Sequence, residues 1–319
     1  MLPAQTPPEQ AFSGPSADSS CEAQFTVTGT PGEPVAIGHC AHWTGAPGSL
    51  DLVWGKSRRY TLLPEIAGPD IAGALDQLIG QWQDHLTSVP GACDEDTAAI
   101  INWPSRDIDG LNVMLARGLT PLNVVAAKKL RPAPPVQQAQ QAQQAQQTQQ
   151  TGGFTISRAT PADLDVLTAL AVAELSYDAH FGGVIERPHT GPAMRTYLTD
   201  LLADPEPWIW RAERAGTTIG LLIAEPPSAA TWIAPLTGLS PAAYLTSAYV
   251  DPAERGSGIG RALTGEFHRA AQGEGVGVVL LHYELLNPRS GPFWSQQGYR
   301  PLWTALEARP ASRLIGHSI

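Results

Sequence analysis

The run Arg255-Gly256-Ser257-Gly258-Ile259-Gly260-Arg261 lies between an apolar segment, Tyr244 to Val250, and a helix-patterned one, Ala262 to Gln272. Glycines at alternate positions let a backbone turn sharply and present successive N–H groups. The helix start that follows adds unpaired donors and the positive end of its dipole, so the stretch predicts a strand, a phosphate cradle and a helix in that order. A pyrophosphate bound this way needs neither carboxylates nor metal. Two ligand motifs compete for the run. The R-x-x-G-x-G pattern of an acyl-CoA site is met at every position by Arg255, Gly258 and Gly260. The G-x-G-x-x-G dinucleotide pattern, read from Gly256, demands glycine where Arg261 stands, although Glu284 could act as its ribose-binding acid. A plain strand-to-helix turn is the third reading.

The residues downstream favour the first. A buried-strand pattern from Val276 to Tyr283 is followed by Asn287-Pro288-Arg289-Ser290, then Phe293-Trp294, Gly298-Tyr299 and a last strand through Trp303 to Ala308. In this order the chain resembles the GNAT superfamily of acyl-CoA-dependent N-acyltransferases, through Val250, Pro252, Arg255, Gly256, Gly258, Ile259, Gly260, Asn287, Phe293 and Gly298. Ser290 stands for the family's small residue, Tyr299 for its Phe and Trp294 for its usual Tyr. Upstream, Thr155 to Thr160 and then Pro161-Ala162-Asp163-Leu164 resemble the family's first strand and capped first helix. The resemblance spans Phe154 to about Arg309.

It implies an α/β (α+β) fold: a mixed, mostly antiparallel twisted sheet flanked by helices, with strands 243–250 and 276–284 splayed into a cleft. It also implies acetyl-CoA as co-substrate. The pantetheine arm is expected on the strand edge near Tyr249 and Val250, and the pyrophosphate on the amides of Arg255, Gly256, Ser257, Gly258, Ile259, Gly260 and Arg261. Asn287 matches the family asparagine at the pantetheine end. The implied reaction is direct attack of an amine, from a small molecule or peptide, on the thioester.

Strand alternation places His282 and Glu284 on one face and Tyr283 on the other. His282 is expected as the base near pH 7, with Glu284 acting through water; the alternative is a core imidazole and a solvated strand-end charge. Family members protonate the leaving thiolate with the tyrosine that Trp294 replaces, and indole cannot do so. That role passes to Tyr299, Tyr249 or water, or else the protein is a non-catalytic acyl-CoA-binding or regulatory one. The Pro-rich segment Pro226 to Ala243 is expected either to wall the acceptor pocket, with Trp232, or to cover a sheet face.

Composition narrows the setting. With 20 Lys+Arg against 30 Asp+Glu, a formal charge of −10 disfavours nucleic acid and anionic membrane as partners. Met1 to Ser20 lacks a basic stretch followed by an apolar core, and no segment approaches ~18 continuous apolar residues, so a cytoplasmic protein is expected. Cys21, Cys40 and Cys93 share no C-x-x-C spacing and read as reduced thiols; His39, Cys40 and His42 lack a second ligand pair, so no metal is expected.

Gln137 to Gln150 reads QQAQQAQQAQQTQQ and predicts a flexible tether between independently folded halves. The organisation expected is a disordered N-terminus (1–20), a degenerate GNAT-like domain (21–131), a Pro/Gln-rich linker (132–153) and a GNAT domain (154–319). A displacement of 180 positions lays Val278 to Asn287 over Ala98 to Asp107, and Gly298-Tyr299-Arg300-Pro301-Leu302 over Gly118-Leu119-Thr120-Pro121-Leu122. That suggests duplication, or a chance match of two strand-helix-strand units. No R-x-x-G-x-G occurs in the first half, which is therefore expected to have lost its cradle.

Overall fold

A computed structural model describes residues 20–29, 32–131, 149–151 and 153–315. The expected disordered N-terminus and most of the linker lie outside the described residues. The first half runs β1 (Ser20–Thr28), β2 (Pro34–Thr44), β3 (Arg58–Ile66), α1 (Ile71–Ser88), β4 (Thr97–Pro104), α2 (Ile108–Ala116) and β5 (Thr120–Lys129). The second continues with β6 (Gln149–Thr151), β7 (Phe154–Arg158), α3 (Leu164–Asp178), α4 (Thr190–Leu202), β8 (Ile209–Arg214), β9 (Thr217–Glu225) and β10 (Ala242–Val250). It ends with α5 (Ile259–Gly273), β11 (Val278–Glu284), α6 (Ser290–Gln296), β12 (Arg300–Ala308) and α7 (Ser312–Ile315).

Local chemistry explains the elements nearest the cleft. Thr160 and Asp163 form a capping box ahead of α3, with the Asp163 carboxylate accepting the Thr160 N–H at 2.8 Å. Helix α5 buries Ile259, Leu263, Phe267, Ala270 and Ala271, a stripe at helical spacing that holds it against the sheet. Phe267 meets Trp208 and Trp210 edge to face, with ring centroids about 6 Å apart.

The sheet has twelve strands in the order β1-β2-β3-β4-β12-β5-β11-β10-β9-β8-β7-β6. Its pairs are antiparallel except β3 with β4 and β10 with β11, which occupy corresponding places in the two halves. The halves exchange their last strands: β5 lies beside β11, and β12 lies between β4 and β5. The fold is thus a tandem of two GNAT-like units. The expectation of independently folded halves joined by a tether is corrected, because each half completes the other's sheet.

The duplication extends to single hydrogen bonds. Asp107 Oδ1 accepts the Gly110 N–H at 3.2 Å at the start of α2, and Asn287 Oδ1 accepts the Ser290 N–H at 3.3 Å at the start of α6. After those helices Gly118 (φ 83°) and Gly298 (φ 92°) take the same left-handed conformation, and Leu119 and Tyr299 are both buried. The corresponding helix starts of the two halves differ. The first half's α1 is capped by Asp70, whose carboxylate accepts the Gly73 N–H at 2.8 Å, whereas α5 opens on Gly258, which has no capping side chain.

The first half also props the second. The turn after β2 sends Val53 into the core of α3 and α4, and its carbonyl accepts the Ile185 N–H at 2.8 Å. Arg187, on the segment between α3 and α4, donates to the carbonyls of Leu52 (2.8 Å) and Gly55 (3.2 Å) and to Asp96 (3.1 Å).

Candidate active site

Strands β10 and β11 pair only from Ala242↔Val278 to Leu245↔Leu281 and then part. Beyond that point β10 stays on β9 as far as Val250↔Gly220, and β11 stays on β5 as far as Glu284↔Asn123. A register shift between Leu245 and Ser247 bulges β10 at Thr246, where the strands separate. The cleft so formed encloses about 530 Å³ and is walled by α3, β10, the cradle, β11 and α6.

The cradle is built from the backbone outward. Asp251 accepts the Ala253 N–H at 2.8 Å and turns the chain after β10. Arg255 Nε then donates to the Val250 carbonyl at 3.1 Å, and its guanidinium lies 4.9 Å from the Tyr177 ring and 5.9 Å from that of Tyr249. Gly256 and Gly258 have φ of 86° and 88°, and a Cβ at either would project into open space, the room an anion needs. The first backbone bond of α5 runs from the Ala262 N–H to Gly258, so the preceding amides of Ile259, Gly260 and Arg261 face the opening as helix-start donors. Gly260 sits where a Cβ would stand 3.4 Å from Phe293, which brings α5 close to α6. Tyr249, Val250, Arg255, Gly256, Gly258, Ile259, Gly260, Arg261 and Asn287 all line the cavity. Ser257 differs: its Oγ and its amide both turn back onto the Glu254 carbonyl, at 2.6 and 3.4 Å, and it does not line the cavity.

The residues expected to do proton chemistry are placed less favourably. His282 lines the cavity, but its Nδ1 shares a 2.9 Å hydrogen bond with the Tyr244 hydroxyl, and its ring stacks on Trp232 at 8°. Burial pushes its pKa down to about 4, so the ring is neutral at pH 7 and a poor acceptor for an ammonium proton. Glu284 is 8% exposed and turns under Gly183 instead of lining the cavity; burial, reinforced by Asp178, pushes it up to about 8. Tyr299 is corrected as a proton donor: it is 1% exposed in the core, its hydroxyl held 2.9 Å from His268 Nε2, and it does not reach the cavity. Of the two readings for 226–243, the covering one is observed. Ala230, Ile233 and Leu236 pack on the sheet face, and Trp232 Nε1 donates to Glu225 at 2.8 Å. The dinucleotide reading also fails, since Glu284 lies outside the cavity.

The family model of the acetyltransferase (GNAT) family matches residues 171–299. This stretch is a GNAT acetyltransferase domain. A GCN5-related N-acetyltransferase from Sphaerobacter thermophilus is similar in fold at 16% identity, over 90% of this chain and 80% of its own, with a TM-score of 0.51. A GNAT-family acetyltransferase from Colwellia psychrerythraea aligns at 13% identity over 89% of this chain and 84% of its own (TM-score 0.49). A tandem GNAT protein from the clavulanic acid biosynthesis pathway aligns at 12% identity over 91% and 85% (TM-score 0.40). No curated protein sequence matches the chain.

Within this GNAT domain, the matched asparagine has structural work. Asn287 Oδ1 accepts the amides of Arg289 (3.0 Å) and Ser290 (3.3 Å), and its Nδ2 donates to Asp178. Trp294 occupies the tyrosine position and lines the cavity edge to face with Phe293. Sequence reasoning missed Glu174, Tyr177 and Asp178 on α3, Ser247 at the bulge and Tyr283 on β11, all of which line the cavity. The signal for the first three was the i, i+4 spacing of two carboxylates on a helix that runs on to Asp178.

Proposed function

We infer that the protein is an acyl-CoA-dependent N-acetyltransferase that acetylates an amine of a small molecule or peptide. The observation that carries this reading is the continuity of the cradle with the unpaired edge of β10 inside one cavity. Acetyl-CoA supplies the activated acyl thioester. The amides of Gly256 and of Gly258 to Arg261 fit its pyrophosphate, with Arg255 and Arg261 adding positive charge at the mouth. The free edge of β10 from Ser247 to Val250 offers amides to the pantetheine arm and to the thioester oxygen. Asn287 and Gly260 set the distance between the cradle and α6.

Proton handling falls to the hydroxyls and carboxyls of the cavity wall. Tyr283 and Tyr249 carry the hydroxyls nearest in kind to the family's missing tyrosine, and both line the cleft. Calorimetry with acetyl-CoA, followed by thiol release in the presence of an amine panel, tests the reading. Binding with turnover supports it, and absence of binding overturns it. The second reading, a non-catalytic acyl-CoA-binding protein, draws on Trp294 and the buried Tyr299; binding without turnover of any amine would select it.

A further inference from the structure

The two ends of the cleft differ in charge. Arg255 and Arg261 line it at the cradle, while Glu174 and Asp178, one turn apart on α3, line the inner wall. The two carboxyls share a hydrogen bond; burial raises the pKa of both, and for Glu174 the neighbouring Asp178 charge raises it further. Among the described residues, no lysine or arginine pairs with either. Glu284 adds a third carboxyl behind them, and the cation facing it, Arg309, is shared with Glu307 and the Gly182 carbonyl.

The polar wall is incomplete in a way that points to a donor. Ser247, 3% exposed, lines the cavity next to Glu174, yet its Oγ is sealed from solvent without completing a well-aligned hydrogen bond. Glu174 Oε2 is likewise sealed from solvent without a well-aligned partner, the carboxyl's neighbours being Ser247 and Asp178. A buried acceptor left open is costly, and the two carboxyls of Glu174 and Asp178 without a cation are costlier. The other groups around this end, His282, Tyr177, Tyr283, Phe293 and Trp294, are neutral and largely aromatic, which suits an alkyl or aryl body.

Resting on the acyltransferase reading, we propose that the acceptor is a primary aliphatic amine without a carboxylate, its ammonium seated on Glu174 and Asp178 beside Ser247. An amino acid would bring its own carboxylate against this wall, and like charges at such an interface are strongly disfavoured. The protons balance simply. The ammonium gives one proton to the Glu174–Asp178 pair, which passes it to solvent. The freed nitrogen lone pair forms the C–N bond as the C–S bond breaks with its electrons on sulfur. A second nitrogen proton ends on that sulfur, so the products are an N-acetylamine, a thiol and one released proton.

Matched acceptor pairs that differ only by a carboxylate test this: putrescine against ornithine, and tryptamine against tryptophan, with acetyl-CoA and thiol release as readout. The amine of each pair is expected to show kcat/KM at least about tenfold above its amino acid, and E174Q and D178N are each expected to remove most of that preference. Acetyl-CoA affinity, by calorimetry, should stay within about twofold in both variants. Calorimetric titration of putrescine and tryptamine into the CoA-loaded protein gives a readout independent of turnover, and binding should be lost in the double variant. Equal or better use of the amino acids, a preference unchanged in both variants, or no binding of either amine would each overturn the proposal. Failure of the wild type to bind acetyl-CoA would instead overturn the acyltransferase reading itself.

Discussion

Asn287 Nδ2 donates to Asp178 Oδ1 at 3.1 Å, tying the start of α6 to the end of α3 across the inner cleft. The same side chain caps α6 through its Oδ1, so one residue fixes two walls of the cavity. Asn287→Ala removes the cap and leaves Asp178 without its neutral donor. A loss of about 1–3 kcal/mol is expected in chemical denaturation, from the cap and the lost donor to the half-buried Asp178 together. Asn287→Asp restores a cap acceptor but sets a carboxylate beside Asp178, so it should be no more stable than Asn287→Ala above neutral pH. A variant as stable as wild type would remove Asn287 from this role.

Asp70 and Gly258 occupy corresponding helix starts with opposite consequences. Gly258 has φ 88° and no neighbour within 4 Å of a would-be Cβ, so Gly258→Asp costs about 1–2 kcal/mol in backbone strain and aims a carboxylate into the anion space. Acetyl-CoA binding should be abolished in calorimetry while the fold persists. Asp70→Gly should not create binding in the first half, where the following residues lack the glycine run. Unchanged affinity in Gly258→Asp would sink the cradle assignment.

Much of the second half is legible in the sequence. The β10, α5, β11 and β12 segments follow from apolar strand runs, the glycine cradle and the Gly298 stop signal, because those are local effects. The CoA side of the cleft was legible for the same reason: a cradle made of backbone leaves its trace as glycine. The acceptor side was not. Glu174 and Asp178 reach the cavity through the packing of α3 over β10, and Tyr299 looked available until the core placed it against His268. The 180-residue displacement revealed the repeat. The exchange of β5 and β12 depends on strand order, which no local pattern encodes.

The buried Glu284 and His282 give the fold opposite pH sensitivities. Glu284, near 4.5 when unfolded, is held up to about 8, so the native state binds the extra proton between these values. Its stability contribution is full below about pH 4.5 and is lost as pH rises through about 8. Glu284→Gln should therefore flatten the alkaline fall of the melting temperature. His282, lowered from 6.5 to about 4, binds its proton in the unfolded state first, so its contribution is present above about pH 6.5 and is lost as pH falls through 4. His282→Gln should flatten the acid side. Melting curves from pH 4 to 9 that move on the same side for both variants would contradict these assignments.

Strand exchange makes a prediction about covalent continuity. β5 is hydrogen-bonded along β11 from Asn123 to Lys129 and along β12 from Thr120 to Ala127, and its Val124, Val125 and Ala126 are buried. Residues 154–319 alone would expose the free edge of β11 and leave β12 without both of its partners, a state prone to aggregation. A protease site engineered between residues 132 and 148 should therefore yield, after cleavage, two fragments that co-elute as one species and still bind acetyl-CoA. Expressed separately, the second fragment should be insoluble or lack a cooperative melt, and co-expression with residues 1–131 should rescue it. If the cut halves separated under native conditions and the second alone bound acetyl-CoA with wild-type affinity, the exchanged strands would contribute little to the site, and the two halves would be independent after all.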